Sequence, residues 1–217
     1  MVTHRSINIM ASKKSTGIGS PSNGGDDAIA STIPYIALVT IQGDCPILFH
    51  AWNCDAVEQK SKAKKGSEEK KTDNIESYLY RDENGHVCIP GEYLRQSVIG
   101  AAKFRQDPRS PRKSASDLFK AGVVSLTELA DTGLPDSDYI DRRRVTVNHS
   151  GVTRHRPALR AGWTASFKLQ IQTPEYISPQ VLHETLSSAG RLIGIADFRP
   201  SFGRYQVTHF EVETFNA

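Results

Sequence analysis

The sequence predicts an α+β domain, an antiparallel sheet with helices on one face, preceded by an unstructured arm. Three observations lead there. Short apolar runs of period two recur along the chain, and two longer stretches follow the 3.6-residue period of a helix. The first half reads strand, hairpin, helix, strand, and the second half strand, strand, helix, strand. Residues 1–31 are rich in Ser, Gly, Lys and Asn and lack apolar periodicity, so they read as a disordered arm. Residues 32–217 then form one domain.

The elements follow in order. Residues 34–42 (PYIALVTIQ) alternate, with Tyr35, Ala37, Val39 and Ile41 on one face. A second apolar run covers 45–52 (CPILFHAW). Residues 56–74 carry KSKAKKGSEEKK, a mixed-charge exposed insertion. Residues 78–90 read as a hairpin turning at Asn84-Gly85. A helix is expected over 92–104, with Leu94, Val98 and Ala101 inward. Residues 106–113 (QDPRSPRK) read as a proline-broken basic loop, 116–120 as a short helix, and 123–129 as a strand. A turn follows at 133–137, a strand at 142–149, and a loop or irregular hairpin at 150–160. Residues 163–172 give the cleanest alternation, Trp163, Ala165, Phe167, Leu169 and Ile171 against Thr164, Ser166, Lys168, Gln170 and Gln172. Ser178 suits an N-cap and Pro179 the first helical turn, so a helix runs to about residue 189. Residues 205–213 close the sheet.

Charge is unevenly spread. Of 27 Lys+Arg and 24 Asp+Glu, residues 142–174 hold seven basic side chains and no acidic one. The rest of the chain therefore holds 20 basic against 24 acidic. An acid-free basic segment is the footprint of a polyanion partner, most often nucleic acid, although a basic strand face can also simply be solvated. The expected contacts are Arg142, Arg143, Arg144, Arg154, His155, Arg156, Arg160 and Lys168, joined by Arg199 and Arg204 around a loop with Gly194 and Gly203. Trp163, Phe198, Phe202 and Tyr205 are the flat side chains on hand for bases, with Trp163 better placed in the core.

Other classes lack support. No apolar run approaches the ~20 residues that span a bilayer. The first thirty residues lack the pattern of a secretory signal, so a cytoplasmic protein is expected. Cys45, Cys54 and Cys88 are three, with no CxxC pair, so neither a disulfide framework nor a zinc site is expected. There is no Walker A lysine motif, no HExxH and no GxSxG, so no catalytic residue, metal or cofactor is assigned. His149, His155, His183 and His209 are the candidates for acid–base cleavage of RNA, and His155, between Arg154 and Arg156, is the one placed where a phosphate would sit.

Two segments carry a resemblance. Residues 89–103, IPGEYLRQSVIGAAK, and residues 193–203, IGIADFRPSFG, resemble the RAMP superfamily, the RNA-binding proteins of CRISPR systems. The first matches a hydrophobic-Pro-Gly step into a helix with a basic residue. The second matches the glycine-rich loop before the last strand, with Gly194 and Gly203 at its glycines. The C-terminal part from Arg142 also resembles a group of short, uncharacterised phage and prophage proteins, through Arg142–Val145, Arg154–Pro157, Trp163 and the run from Ala189 to Arg204. The resemblance implies a ferredoxin-like (RAMP/RRM-like) fold and single-stranded RNA or DNA as partner. It also raises a homo-oligomer or filament of repeating subunits, in the host cytoplasm if the chain is phage-encoded. Two alternatives stay open: a metal-independent RNA-processing endonuclease using His155, and a phage structural or anti-defence protein that binds an acidic protein partner.

Overall fold

A computed structural model describes residues 32–51, 58, 62, 75–147 and 150–214. The arm at 1–31 lies outside the described residues. So does the insertion at 56–74, except that Lys62 pairs with Glu58 at 3.3 Å, both exposed.

Strand β1 (Tyr35–Gly43) leads to the two-residue β2 (Ile47–Leu48). Strands β3 (Tyr80–Arg81) and β4 (Val87–Pro90) form the hairpin, with Gly85 in the left-handed region at its turn. Helix α1 (Gly91–Ala101) follows and tightens into a 3₁₀ turn, Ala102–Phe104. Then come β5 (Gln106–Asp107), β6 (Ser110–Ser114), α2 (Ser116–Gly122), β7 (Val123–Ser125) and β8 (Leu129–Asp131). The long strands β9 (Tyr139–Val147), β10 (Ser150–Leu159) and β11 (Thr164–Ile171) precede α3 (Pro179–Leu192) and β12 (Tyr205–Thr214).

The main sheet has the order β12-β1-β11-β7, antiparallel throughout. With α1 between β1 and β7, and α3 between β11 and β12, this is the βαββαβ arrangement of a ferredoxin-like fold. Register explains the core. Ala37 faces Leu169, Val39 faces Phe167 and Ile41 faces Ala165, all on the buried side. Leu94 and Val98 of α1 and Leu182, Leu186 and Ala189 of α3 close over them, fully buried. No helix among the described residues is long and apolar enough to cross a membrane.

The cap of α3 is the one the sequence predicts. Ser178 Oγ accepts from the Val181 amide at 3.3 Å, and Pro179 fills the first turn. Ser178→Ala is expected to cost about 1 kcal/mol in urea denaturation, and Ser178→Asp to restore most of it.

Three expectations are corrected. Residues 106–113 form the β5–β6 hairpin, not a loop. Its turn is built by buried Asp107, which accepts from the Arg109 amide at 2.9 Å and pairs with the Arg109 guanidinium at 2.8 Å. The strand at 123–129 is two strands, because the chain leaves the main sheet after Ser125 and β8 joins β4 instead. Residues 150–160 form a regular strand, β10, paired with β9 from Ser150 to Ala158. Gly151, Pro157 and the intervening cations hide it: only its end, Ala158 and Leu159, is apolar and buried, and the polar part that pairs with β9 lacks apolar alternation.

Candidate nucleic-acid interface

The β9–β10 hairpin sorts the arginines by strand parity. Opposite residues share a face, and register sets Arg142 against His155, Arg143 against Arg154 and Asp141 against Arg156. One face therefore carries Asp141, Arg143, Arg154 and Arg156, and the other Arg142, Arg144 and His155. On the first face two arginines are already engaged. Arg143 holds Asp141 through two bonds of 2.5 and 2.6 Å. Arg156 is buried and ion-paired with Asp197. The guanidinium of Arg143 also stacks 4.8 Å from Phe198 and 4.4 Å from Phe202, whose rings meet edge to face.

This pairing docks the glycine-rich loop on the hairpin. The loop is also tied to the chain after β1: Gly203 N donates to Pro46 O at 2.9 Å and Asp197 N to Leu48 O at 3.1 Å. It closes on itself where Ile195 N donates to Gly203 O at 2.8 Å. Gly203 has φ +71, and a Cβ there would lie 1.9 Å from Ile195 O; Gly194 has φ +74, with 2.9 Å to Gly203 O. Both glycines are thus used to shut the loop. Ala196 and Phe198 are also left-handed, at φ 62 each. A non-glycine residue there stores about 1–2 kcal/mol, so the surrounding bonds hold the loop in one shape.

The loop forms one wall of a cleft of about 750 Å³. The opposite wall is α1 and its 3₁₀ extension, through Gln96, Ile99, Gly100, Lys103 and Phe104. Phe104 is 71% exposed and Phe198 39%. A smaller pocket adjoins it, sharing Gln96, Ala196, Asp197 and Arg199 and adding His50, Glu92 and Tyr93. Burial pushes the Tyr93 hydroxyl well above its ordinary range, and Tyr80 meets it at 3.2 Å, so it stays protonated.

The candidate residues divide accordingly. Arg142, Arg144, Arg154, Arg160, Arg199 and Arg204 form no ion pair with a carboxylate among the described residues, and all but the half-buried Arg154 are exposed. Arg143 and Arg156 are structural partners of Asp141 and Asp197. His155 is half-buried beside Arg142, with no carboxylate hydrogen-bonded to it among the described residues. Lys168 lies apart, in a depression on the open sheet face with Thr40, Ser166 and His209. That face offers no aromatic side chain among the residues it presents on β1 and β11, and Glu211 and Glu213 of β12 lie on it. Trp163 and Tyr205 are core residues; Trp163 Nε1 donates to Cys45 O at 3.0 Å. Lys103, Phe104 and Gln96 were not foreseen as site residues. Their signal was the helix of the 89–103 segment, which places Gln96 and Lys103 about two turns apart on one side.

A scan against protein-family models finds no match, and neither does a comparison with curated proteins. Among solved structures, the chain is similar to one in the cryo-EM structure of the Type III-B Cmr-beta bound to cognate target RNA. Identity is 13% and the TM-score 0.49, over 87% of this chain and 64% of that one. The chain thus spans less than two thirds of the length of the chain it matches.

Proposed function

We propose that this protein binds single-stranded nucleic acid, RNA or DNA, through its phosphates, as a RAMP-like module. One observation carries the reading. The two segments that resemble the RAMP superfamily, about ninety residues apart in sequence, face each other across one cleft. Lys103 and Arg199 line that cleft, with Phe104 and Phe198 as exposed rings. Arg154, on the hairpin face that meets the loop, extends the positive surface; Arg142 and Arg144 add cations on the hairpin's other face, and Arg204 stands at the end of the loop. Cations for phosphates and flat groups for bases are what single-strand binding needs. Cleavage by His155 is not part of the proposal, because general acid–base work needs a partner within hydrogen-bond reach.

The test is fluorescence anisotropy with labelled single-stranded RNA and DNA, and duplex controls, at several salt concentrations. Binding to single strands that weakens steeply with salt is expected. Absence of salt-sensitive binding to any of the four ligands would replace this reading with that of a module for an acidic protein partner.

A further inference from the structure

We propose that Asp82, Cys88 and Asp131, with His86 beside them, form a zinc site on the β3–β4–β8 sheet. The sheet brings them together. Cys88 and Asp131 are direct cross-strand partners on β4 and β8, and Asp82 follows β3 at the start of the hairpin turn. One carboxylate oxygen of each aspartate and the Cys88 sulfur lie within 4.8 Å of one another. His86 Nδ1 is 3.1 Å from Asp131 Oδ2 and 4.0 Å from Asp82 Oδ2.

The carboxylates are held in place by their other oxygens. Asp82 Oδ1 accepts from the amides of Asn84 at 3.0 Å and His86 at 2.8 Å, and Asp131 Oδ1 accepts from the Gly133 amide at 2.7 Å. The inner oxygens have weaker claims on them. Asp82 Oδ2 has the Asn84 side-chain amide at 3.3 Å, and Asp131 Oδ2 has His86.

The turn amides use the Oδ1 oxygens. Cys88 is wholly buried, donates to His86 O at 3.5 Å, and keeps its sulfur within 4.8 Å of a carboxylate oxygen of each aspartate. No Lys or Arg forms an ion pair with Asp82 or Asp131 among the described residues. A thiol, two carboxylates and an imidazole gathered together are a donor set that a divalent cation takes.

The donor set selects the metal. Calcium and magnesium take oxygen ligands, whereas a thiolate and an imidazole beside carboxylates suit zinc. Tetrahedral zinc with bonds of about 2.0–2.3 Å places its donors about 3.3–3.7 Å apart, so Asp82, Cys88 and Asp131 need close by only about 1 Å, and His86, near both carboxylates, joins by a larger side-chain rotation. The spacing Asp82-x3-His86-x-Cys88, with Asp131 on a distant strand, contains no cysteine pair, so no sequence motif points to it. The site shares no residue with the cleft and stands independently of the nucleic-acid reading.

The full chain, stripped with chelator and dialysed, is titrated with Co²⁺ and then with Zn²⁺. One equivalent of Co²⁺ is expected to bind with a thiolate-to-metal charge-transfer band that Zn²⁺ abolishes. Cys88→Ser should remove the band although Cys45 and Cys54 remain. Asp131→Asn and His86→Ala, at partly exposed side chains, should weaken Co²⁺ binding by about tenfold or more. Absence of the band in the unmodified protein overturns the proposal, as does a band that survives Cys88→Ser. Should Cys88→Ser fail to fold, unchanged Co²⁺ affinity in both Asp131→Asn and His86→Ala overturns it instead.

Discussion

Arg156→Ala is expected to destabilise the protein by about 2–4 kcal/mol in urea denaturation. Removing one member of a buried ion pair typically costs about 3–5 kcal/mol, because the other charge is left without a partner. Here the Arg156 side chain is 8% exposed and that of Asp197 34%, so water recovers about 1 kcal/mol of that loss. The pair fastens the glycine-rich loop to the hairpin, so the loop should loosen with it. The double variant Arg156→Met/Asp197→Asn should cost less than the single change, since it removes both charges and keeps much of the packing. A single-variant cost under about 1 kcal/mol would mean that the loop is held by the Arg143 stack on Phe198 and Phe202 and by the backbone bonds to Pro46 and Leu48.

That expectation also marks how far the sequence could be read. The ferredoxin-like order was legible because β1 and β11 are half-buried strands whose alternation reports burial directly. Helix α3 was legible because Ser178 and Pro179 announce its start chemically. Strand β10 was not, because only its end at Ala158 and Leu159 reaches the core, and pairing between the polar parts of β9 and β10 leaves no mark on hydropathy. The site was legible as a region but not as roles. Strand parity puts Arg143 and Arg156 on the face that meets the loop, and only the register with Asp141 and the position of Asp197, forty residues later, reveals that both are neutralised. Nor could alternation say that Lys168 faces away from the cleft, on the open side of a different sheet. In the other direction, the pairing of α1 with the 193–203 loop is a long-range contact, so Lys103 and Phe104 acquire meaning only once the sheet brings the two together.

The division of roles among the arginines leads to the second large effect. Replacing Arg142, Arg144 and Arg154 together by alanine should leave stability within about 0.5 kcal/mol, because none is ion-paired to a carboxylate among the described residues. Its effect should fall on binding. If each contacts one phosphate of a single strand, the plot of log affinity against log salt flattens by about 0.7 per residue, or about 2 in all. Over a fourfold rise in salt, the variant should then lose about sixteenfold less affinity than the unmodified protein, having started weaker at low salt. The loss should be similar across sequences, as phosphate contacts carry no base information. Two controls locate the surface. Lys168→Ala probes the open sheet face, and Lys62→Ala probes an exposed cation already paired with Glu58; both should leave the slope nearly unchanged. A Lys168 effect as large as that of the three arginines would move the binding surface to the sheet. A triple variant with the slope of the unmodified protein would show that the hairpin cations meet no phosphate, and would leave Lys103 and Arg199 in the cleft as the cations to test next.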